Sequence, residues 1–309
     1  MIKLRLKPVY WSIIFFVLAQ CVMFSITPRI DPFLEDHNIY VPSQPDGGLI
    51  HWLPQPDVPL TSSLLPILLY FAALIALVSI LFLMPLKALK FFFRAVFACL
   101  FAWGAFILSV FYLPVWIAIV IGVGIGTAWL FYTRMWLHNM ALLIAIASLA
   151  SVFGYFITPW TAMILIGVLA VYDLLAVRFG FMLWMANKMS KNAALPAFVM
   201  PRKTSDLRTT VHNINLDEVA ATKPSDRDFS ILGGGDIAFP LLLTSAVFLA
   251  PHGGLWPSIM IAGFGLLGLC GAYLIQSKLL KGKPVPALPP IAICGLIGML
   301  IFQFTPLFS

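Results

Sequence analysis

Charged side chains are scarce in this 309-residue chain: only 10% are Asp, Glu, Lys or Arg, against about 25% in soluble domains. Hydrophobic residues make up 61% and the mean hydropathy is +0.99, where a soluble globule carries roughly 45–50% apolar residues. That excludes an ordinary soluble fold. Cysteine is equally sparse. Cys21, Cys99, Cys270 and Cys294 each lie inside an apolar run without CxxC or CxH spacing, which excludes a disulfide framework or a cysteine metal site and leaves them as small core residues. The formal charge of +7 does not indicate nucleic acid, because the basic residues stand between oily runs and mark membrane topology instead. The basic start, Lys3, Arg5 and Lys7, precedes an apolar run over 9–26 that lacks an A-x-A site. A cleaved signal has an apolar region of only about 7–15 residues, so this run reads as a retained first span.

The rest is a series of runs able to cross about 30 Å of hydrocarbon with about 20 residues each. They fall at 9–26, 62–84, 91–113, 115–133, 139–157, 160–179, 231–250, 257–276 and 287–307. The expected fold class is all-α, a polytopic membrane protein with nine transmembrane helices. Three segments follow: 1–179 with helices one to six, a cytoplasmic loop over 180–229, and 230–309 with helices seven to nine. Lys and Arg accumulate in cytoplasmic loops. With the N-terminus cytoplasmic and the C-terminus extracytoplasmic, only Arg29 of the 19 Lys and Arg falls outside.

The same map sorts the acids. Asp31, Glu35, Asp36, Asp46 and Asp57 fall in the outer loop, and Asp206, Asp217, Glu218, Asp226 and Asp228 in the inner loop. Asp173 and Asp236 are left inside spans. An intramembrane carboxylate costs about 2.5–3.5 kcal/mol on insertion scales and marks a functional site by default. Asp173 lies five residues before Arg178 and Asp236 six after Ser230, so at about 1.5 Å per residue both lie some 8–9 Å below the cytoplasmic boundary. Gly167, Ala170 and Ala176 form a small-residue stripe near the Asp173 face that allows close helix approach. In "ILGGGDIAFP", Gly233, Gly234 and Gly235 permit close backbone approach and unusual torsions, and Pro240 removes a hydrogen bond to the Asp236 carbonyl. Span seven is therefore loosened at its carboxylate. Two carboxyl groups at hydrogen-bond distance share one proton near neutrality; one draws a proton from water while the other protonates a carbonyl oxygen.

At these residues the chain resembles the presenilin and signal-peptide-peptidase family of intramembrane aspartyl proteases. Tyr172–Asp173 matches the family's YD motif, Gly233–Gly234–Gly235–Asp236 its GxGD motif, and Pro286–Ala287–Leu288–Pro289 its PALP motif. "YDLLAV" followed by an oily stretch to "ALPAFVMP" is similar to the presenilin segment after the first catalytic Asp. The resemblance implies that Asp173 and Asp236 are the catalytic pair. It implies that Tyr172 and the three glycines shape their surroundings, and that Pro286, Ala287, Leu288 and Pro289 pack beside the pair and orient substrate. No cofactor and no metal are implied. The partners would be transmembrane or signal-peptide-like substrates and membrane lipid, with no nucleic acid. A presenilin-like inward N-terminus implies substrates that cross with their own N-terminus outside. The short inner loop implies a compact prokaryotic, archaeal-type homologue in the cell membrane.

Other readings stand beside these. A proton-coupled transporter using both acids as a relay fits a broken helix near an ionisable residue, but it does not predict PALP. A prepilin peptidase shares a GxGD signature, yet its cysteine-bearing cytoplasmic domain and second Asp motif are missing. Residues 181–200 mix Phe181, Leu183, Trp184 and Met185 with Lys188 and Lys191 and read as an amphipathic helix on the inner surface or a loop anchor; 201–229 reads as flexible and polar. "GVGIG" at 122–126 reads as helix packing, and Arg134 and His138 as boundary residues. The edges at Gly233 to Asp236 and Pro284 to Pro289 could receive an unwound substrate by strand addition.

Overall fold

A computed structural model of the chain describes residues 8–37, 86–132, 134–178, 196–202, 206, 209, 229–275 and 287–304. These form α1 (Pro8–Ile26), a 3-10 turn (Thr27–Arg29), α2 (Ile30–Asp36), α3 (Leu86–Val110), α4 (Val115–Phe131), α5 (Met135–Phe156), α6 (Pro159–Arg178), β1 (Ala197–Pro201), β2 (Phe229–Gly233), α7 (Gly234–Leu249), α8 (Leu255–Leu274) and α9 (Leu288–Phe304). Among the described residues, five stretches are long and apolar enough to cross a membrane: Val9–Asp36, Phe91–Val110, Met135–Phe156, Pro159–Ala176 and Leu255–Leu274. Val115–Phe131, Gly234–Leu249 and Leu288–Gln303 are apolar but shorter. The expected second span, 62–84, lies outside the described residues, as do 181–195, where the amphipathic segment was expected, and Pro286.

Local chemistry sets the helix limits. Pro159 opens α6 at its first position, where a missing N–H costs nothing, and the Thr158 hydroxyl accepts the Thr161 N–H at 3.2 Å as a cap. The "PHGG" turn places Gly254 at φ 101° immediately before α8, a left-handed conformation that disfavours any side chain.

The departure from an all-helical expectation is a two-stranded antiparallel sheet, with Ala197 opposite Gly233, Val199 opposite Ile231 and Pro201 opposite Phe229. The expected start of span seven at 231 is thus strand, and α7 begins at Gly234. Sixteen helical residues rise only about 24 Å, and the five extended residues of β2 add about 16 Å, so the segment recovers its reach. The end of the expected amphipathic stretch, 197–200, is likewise strand. Its four apolar residues lie between Pro196 and Pro201, and the residue before a proline is steered out of the α region.

The helices pack around α5 and α7. α7 touches α1, α5, α6, α8 and α9, and α5 touches α1, α3 and α7. Backbones come close where side chains vanish: a Cβ on Gly104 would lie 2.4 Å from the Ala145 Cα, and one on Gly268 2.6 Å from the Ile291 Cα. Buried hydroxyls are satisfied between helices, Ser148 donating to the Gly104 carbonyl at 2.9 Å and Thr27 to Ser151 at 3.2 Å, as an environment without water requires.

"GVGIG" divides by face. Added Cβ atoms on Gly122 and Gly126 would lie 2.7 Å and 2.8 Å from the carbonyl oxygens of Ala102 and Ala98 on α3, while Gly124 has nothing within 4 Å. Gly122→Ala and Gly126→Ala should each destabilise the protein by about 1–3 kcal/mol through overpacking. Gly124→Ala should be neutral or stabilising by up to about 1 kcal/mol. Thermal unfolding in one detergent checks the contrast.

Candidate active site

Asp173 projects from α6 and is 7% exposed. Its Oδ2 accepts the Leu288 N–H at 3.4 Å, and the Ala287 N–H also points to it. Leu288 is the first residue of α9, so Asp173 takes an amide that the helix cannot satisfy itself, at the end where the dipole favours negative charge. This is the structural use of the PALP segment among its described residues: backbone donors of Ala287 and Leu288 are brought onto a carboxylate from another helix.

Asp236 is half-buried in the first turn of α7. Gly233 is the N-cap, and its N–H faces the Asp236 carboxyl two positions into the helix from Gly234, the backward reach that a third-position acid makes in a capping box. Both acids therefore sit at helix N-termini, Asp236 at its own and Asp173 at that of α9. α6 and α7 pack together, so the two helices that carry the acids lie side by side.

The glycines serve proximity. Gly233 has φ −58° and ψ 135°, ordinary extended backbone, so the expectation of unusual torsions is corrected at this residue. A Cβ there would lie 3.1 Å from Asp236 Oδ2. Gly234 donates its N–H to the Pro196 carbonyl at 2.9 Å, and a Cβ on it would lie 2.9 Å from that same oxygen. Gly235 would meet only the Phe239 ring, at 3.1 Å, a side chain able to turn away. In the small-residue stripe, Ala170 and Ala176 are buried with Asp173, but Gly167 has open space where a Cβ would stand. Tyr172, next to the buried Asp173, is 53% exposed.

Several neighbours escaped the sequence reading. His138, read as a boundary residue, is 1% exposed, and Asn139 beside it is fully buried. Asn139 Nδ2 donates to the Val199 carbonyl at 2.7 Å, and its Oδ1 accepts the Val199 N–H at 3.0 Å. His138 Nε2 meets the Ala197 carbonyl at 3.2 Å, while the Trp129 indole N–H donates to His138 Nδ1 at 3.2 Å. Ser12 on α1 is hydrogen-bonded to the Tyr273 hydroxyl on α8 and donates to Met200 Sδ at 3.3 Å. The one available signal was "ALPAFVMP", a short apolar run bounded by prolines, which favours extended backbone.

Two acids on packed helices, each at a helix N-terminus beside a small sheet, are what the resemblance to an aspartic protease working within the membrane leads one to expect. Comparison with known families agrees. The signal-peptide peptidase, presenilin aspartyl protease family matches residues 54–305, and the chain belongs to that family. Two solved structures of a presenilin family intramembrane aspartate protease share its fold. One, in space group C222, is 15% identical with a TM-score of 0.56, over 95% of this chain and 96% of that one. The other, in space group P2, is 17% identical with a TM-score of 0.56, over 97% and 99%. No curated protein sequence matches the chain significantly. The protein is an aspartic intramembrane protease, and the transporter reading finds no support in these likenesses.

Proposed function

We propose that Asp173 and Asp236 hydrolyse peptide bonds within or near the transmembrane helices of single-pass membrane proteins. The observation that carries this reading is that two acids on helices packed against each other each lie beside backbone donors, Ala287 and Leu288 for Asp173 and Gly233 for Asp236. The ionised member takes a proton from water as the water oxygen bonds to the scissile carbonyl carbon, and the protonated member gives its proton to the carbonyl oxygen. Collapse of the resulting diol breaks the C–N bond; the leaving nitrogen takes one proton, and the dyad again holds one.

A helical substrate hides its carbonyls in its own hydrogen bonds, so it unwinds before attack. β2 offers the edge for the unwound strand. Val199 gives both backbone groups to Asn139, so Val199 and Ile231 form a pair that is not hydrogen-bonded across the sheet, and Ile231 turns its N–H and C=O to the opposite edge. No described residue takes those groups, and Ile231 is 38% exposed. That edge runs on to Gly233 and Asp236. An antiparallel strand on β2 carries the residues C-terminal to the scissile bond.

The full arrangement in this reading is nine transmembrane helices with the N-terminus cytoplasmic, in a prokaryotic cell membrane, acting on transmembrane or signal-peptide-like substrates that enter with their N-terminus outside. The basic-residue asymmetry of the loops supports it. The test is cleavage in liposomes of one single-span protein inserted in either orientation. Cutting should be confined to the N-terminus-outside orientation and stopped by a hydroxyl-bearing peptide isostere that imitates the diol. Equal cutting of both orientations would remove the polarity, and no cutting by the intact protein would remove the reading.

A further inference from the structure

A two-stranded sheet has two edges, and among the described residues they differ. Pairs with both hydrogen bonds across the sheet alternate with pairs that have none. Pro196 accepts from Gly234, so Ala197 opposite Gly233 and Val199 opposite Ile231 are pairs whose polar groups point outward. On the β1 side three of the four outward groups of Ala197 and Val199 meet α5. The Ala197 carbonyl meets His138 Nε2, and the Val199 N–H and C=O meet the two ends of the Asn139 amide. An amide side chain that accepts from one residue's N–H and donates to the same residue's C=O reproduces what a neighbouring strand would offer. At the end of this edge, Pro201 has no N–H to present.

The side chains reinforce the asymmetry. All five residues of β1 are buried. Phe198 stacks on Phe15 of α1 with ring centroids 5.0 Å apart, and Met200 accepts from Ser12 of the same helix. β2 is mostly half-buried or exposed. The Asn139 amide is fully buried, so it needs β1 as much as β1 needs it: withdrawal of the strand would leave a donor and an acceptor unmatched away from water.

We propose that Asn139, assisted by His138, is a positioning residue that acts as a permanent third strand, keeping β1 assembled before any substrate arrives and closing its outer edge so that substrate is received only on β2. This rests on the reading of β2 as the substrate edge. The sheet is then a prebuilt receptor. Substrate orders only its own backbone on binding, and the residue opposite Ile231 fixes the register from which the scissile carbonyl is presented to Asp236. Neither Asn139 nor His138 touches the reacting atoms.

The experiment uses the full chain in detergent, comparing wild type with Asn139→Leu, which keeps the branching and the number of heavy atoms but bonds to nothing, and Asn139→Asp, which keeps the acceptor for the Val199 N–H and loses the donor to its carbonyl. Amide hydrogen exchange without substrate reports on the sheet, and a single-span test protein reports on cleavage. In Asn139→Leu, exchange across 197–200 should quicken about 10-fold or more, with α6 and α8 unchanged as the control for folding. KM should rise about 10-fold while kcat stays within about 3-fold, and product masses should reveal additional cut positions. Asn139→Asp should fall between. Unchanged exchange at Val199 in Asn139→Leu would overturn the clamp. Quickened exchange with the same KM and the same single cut would overturn its guiding role. Absence of cleavage by wild type, with exchange still following Asn139, would remove the proteolytic reading and the guiding role with it while upholding the clamp.

Discussion

Replacing Asp173 by Ala or Asn, or Asp236 by Ala or Asn, should lower kcat for a single-span substrate by about 10²–10⁴-fold, and the double variant should be no worse than either single one. A positioned acid or base contributes about that factor, and groups that act as one unit are grossly non-additive, because the first loss already disables the step that the second would disable. Additive losses would mean that the two acids serve separate steps. The same pairing predicts a bell-shaped dependence of kcat/KM on pH. At the acid limb both carboxyl groups are protonated and no base remains; at the alkaline limb both are ionised and no acid remains. The Asn variants should stay folded, since Asn at either site still offers an oxygen to the Leu288 or Gly233 N–H. Retained cutting by either Asn variant would end the dyad mechanism.

Which parts were legible in the sequence follows from which parts were local. Asp173 and Asp236 stood out because hydropathy and charge left them stranded in oily runs, and that signal needs no knowledge of the fold. Close packing of α6 was suggested by the small residues near Asp173, although Gly167 contributes open space rather than contact. The sheet was illegible for the opposite reason. β1 and β2 pair across the 27 residues of the polar loop, 202–228, and each strand is only five residues long, too short to declare a period of two against the helical pattern around it. β1 is buried on both faces, so it has no alternation to display. His138 and Asn139 were illegible because a polar pair at the start of a span looks the same whether it meets headgroups or reaches inward to a strand. The three glycines were legible as a place of close approach, but what approaches, the Pro196 carbonyl and the Asp236 carboxyl, is a matter of tertiary structure.

The second large effect should come from a residue with no chemistry of its own. Ile231→Pro should lower kcat/KM by about 10- to 100-fold, mostly through KM, while leaving the sheet intact. In the register found here the Ile231 N–H points away from β1, and proline is tolerated in a strand where the missing N–H faces outward. The substitution therefore removes the donor that an incoming strand would use and sets a pyrrolidine ring on the receiving edge. Each lost backbone hydrogen bond weakens binding by a net amount near 1 kcal/mol in water, and more where the alternative partner is hydrocarbon; the ring adds a clash. Ser230→Pro is the contrast. Ser230 lies opposite Met200 in a pair that is hydrogen-bonded across the sheet, so proline there removes a ladder bond and should quicken amide exchange in β1, which Ile231→Pro should not. If substrate were bound as an unbroken helix, Ile231→Pro would leave KM and the cut position as they are, because a helix has no free N–H or C=O to offer an edge. A raised KM with an undisturbed β1 is the result that only strand addition on β2 produces.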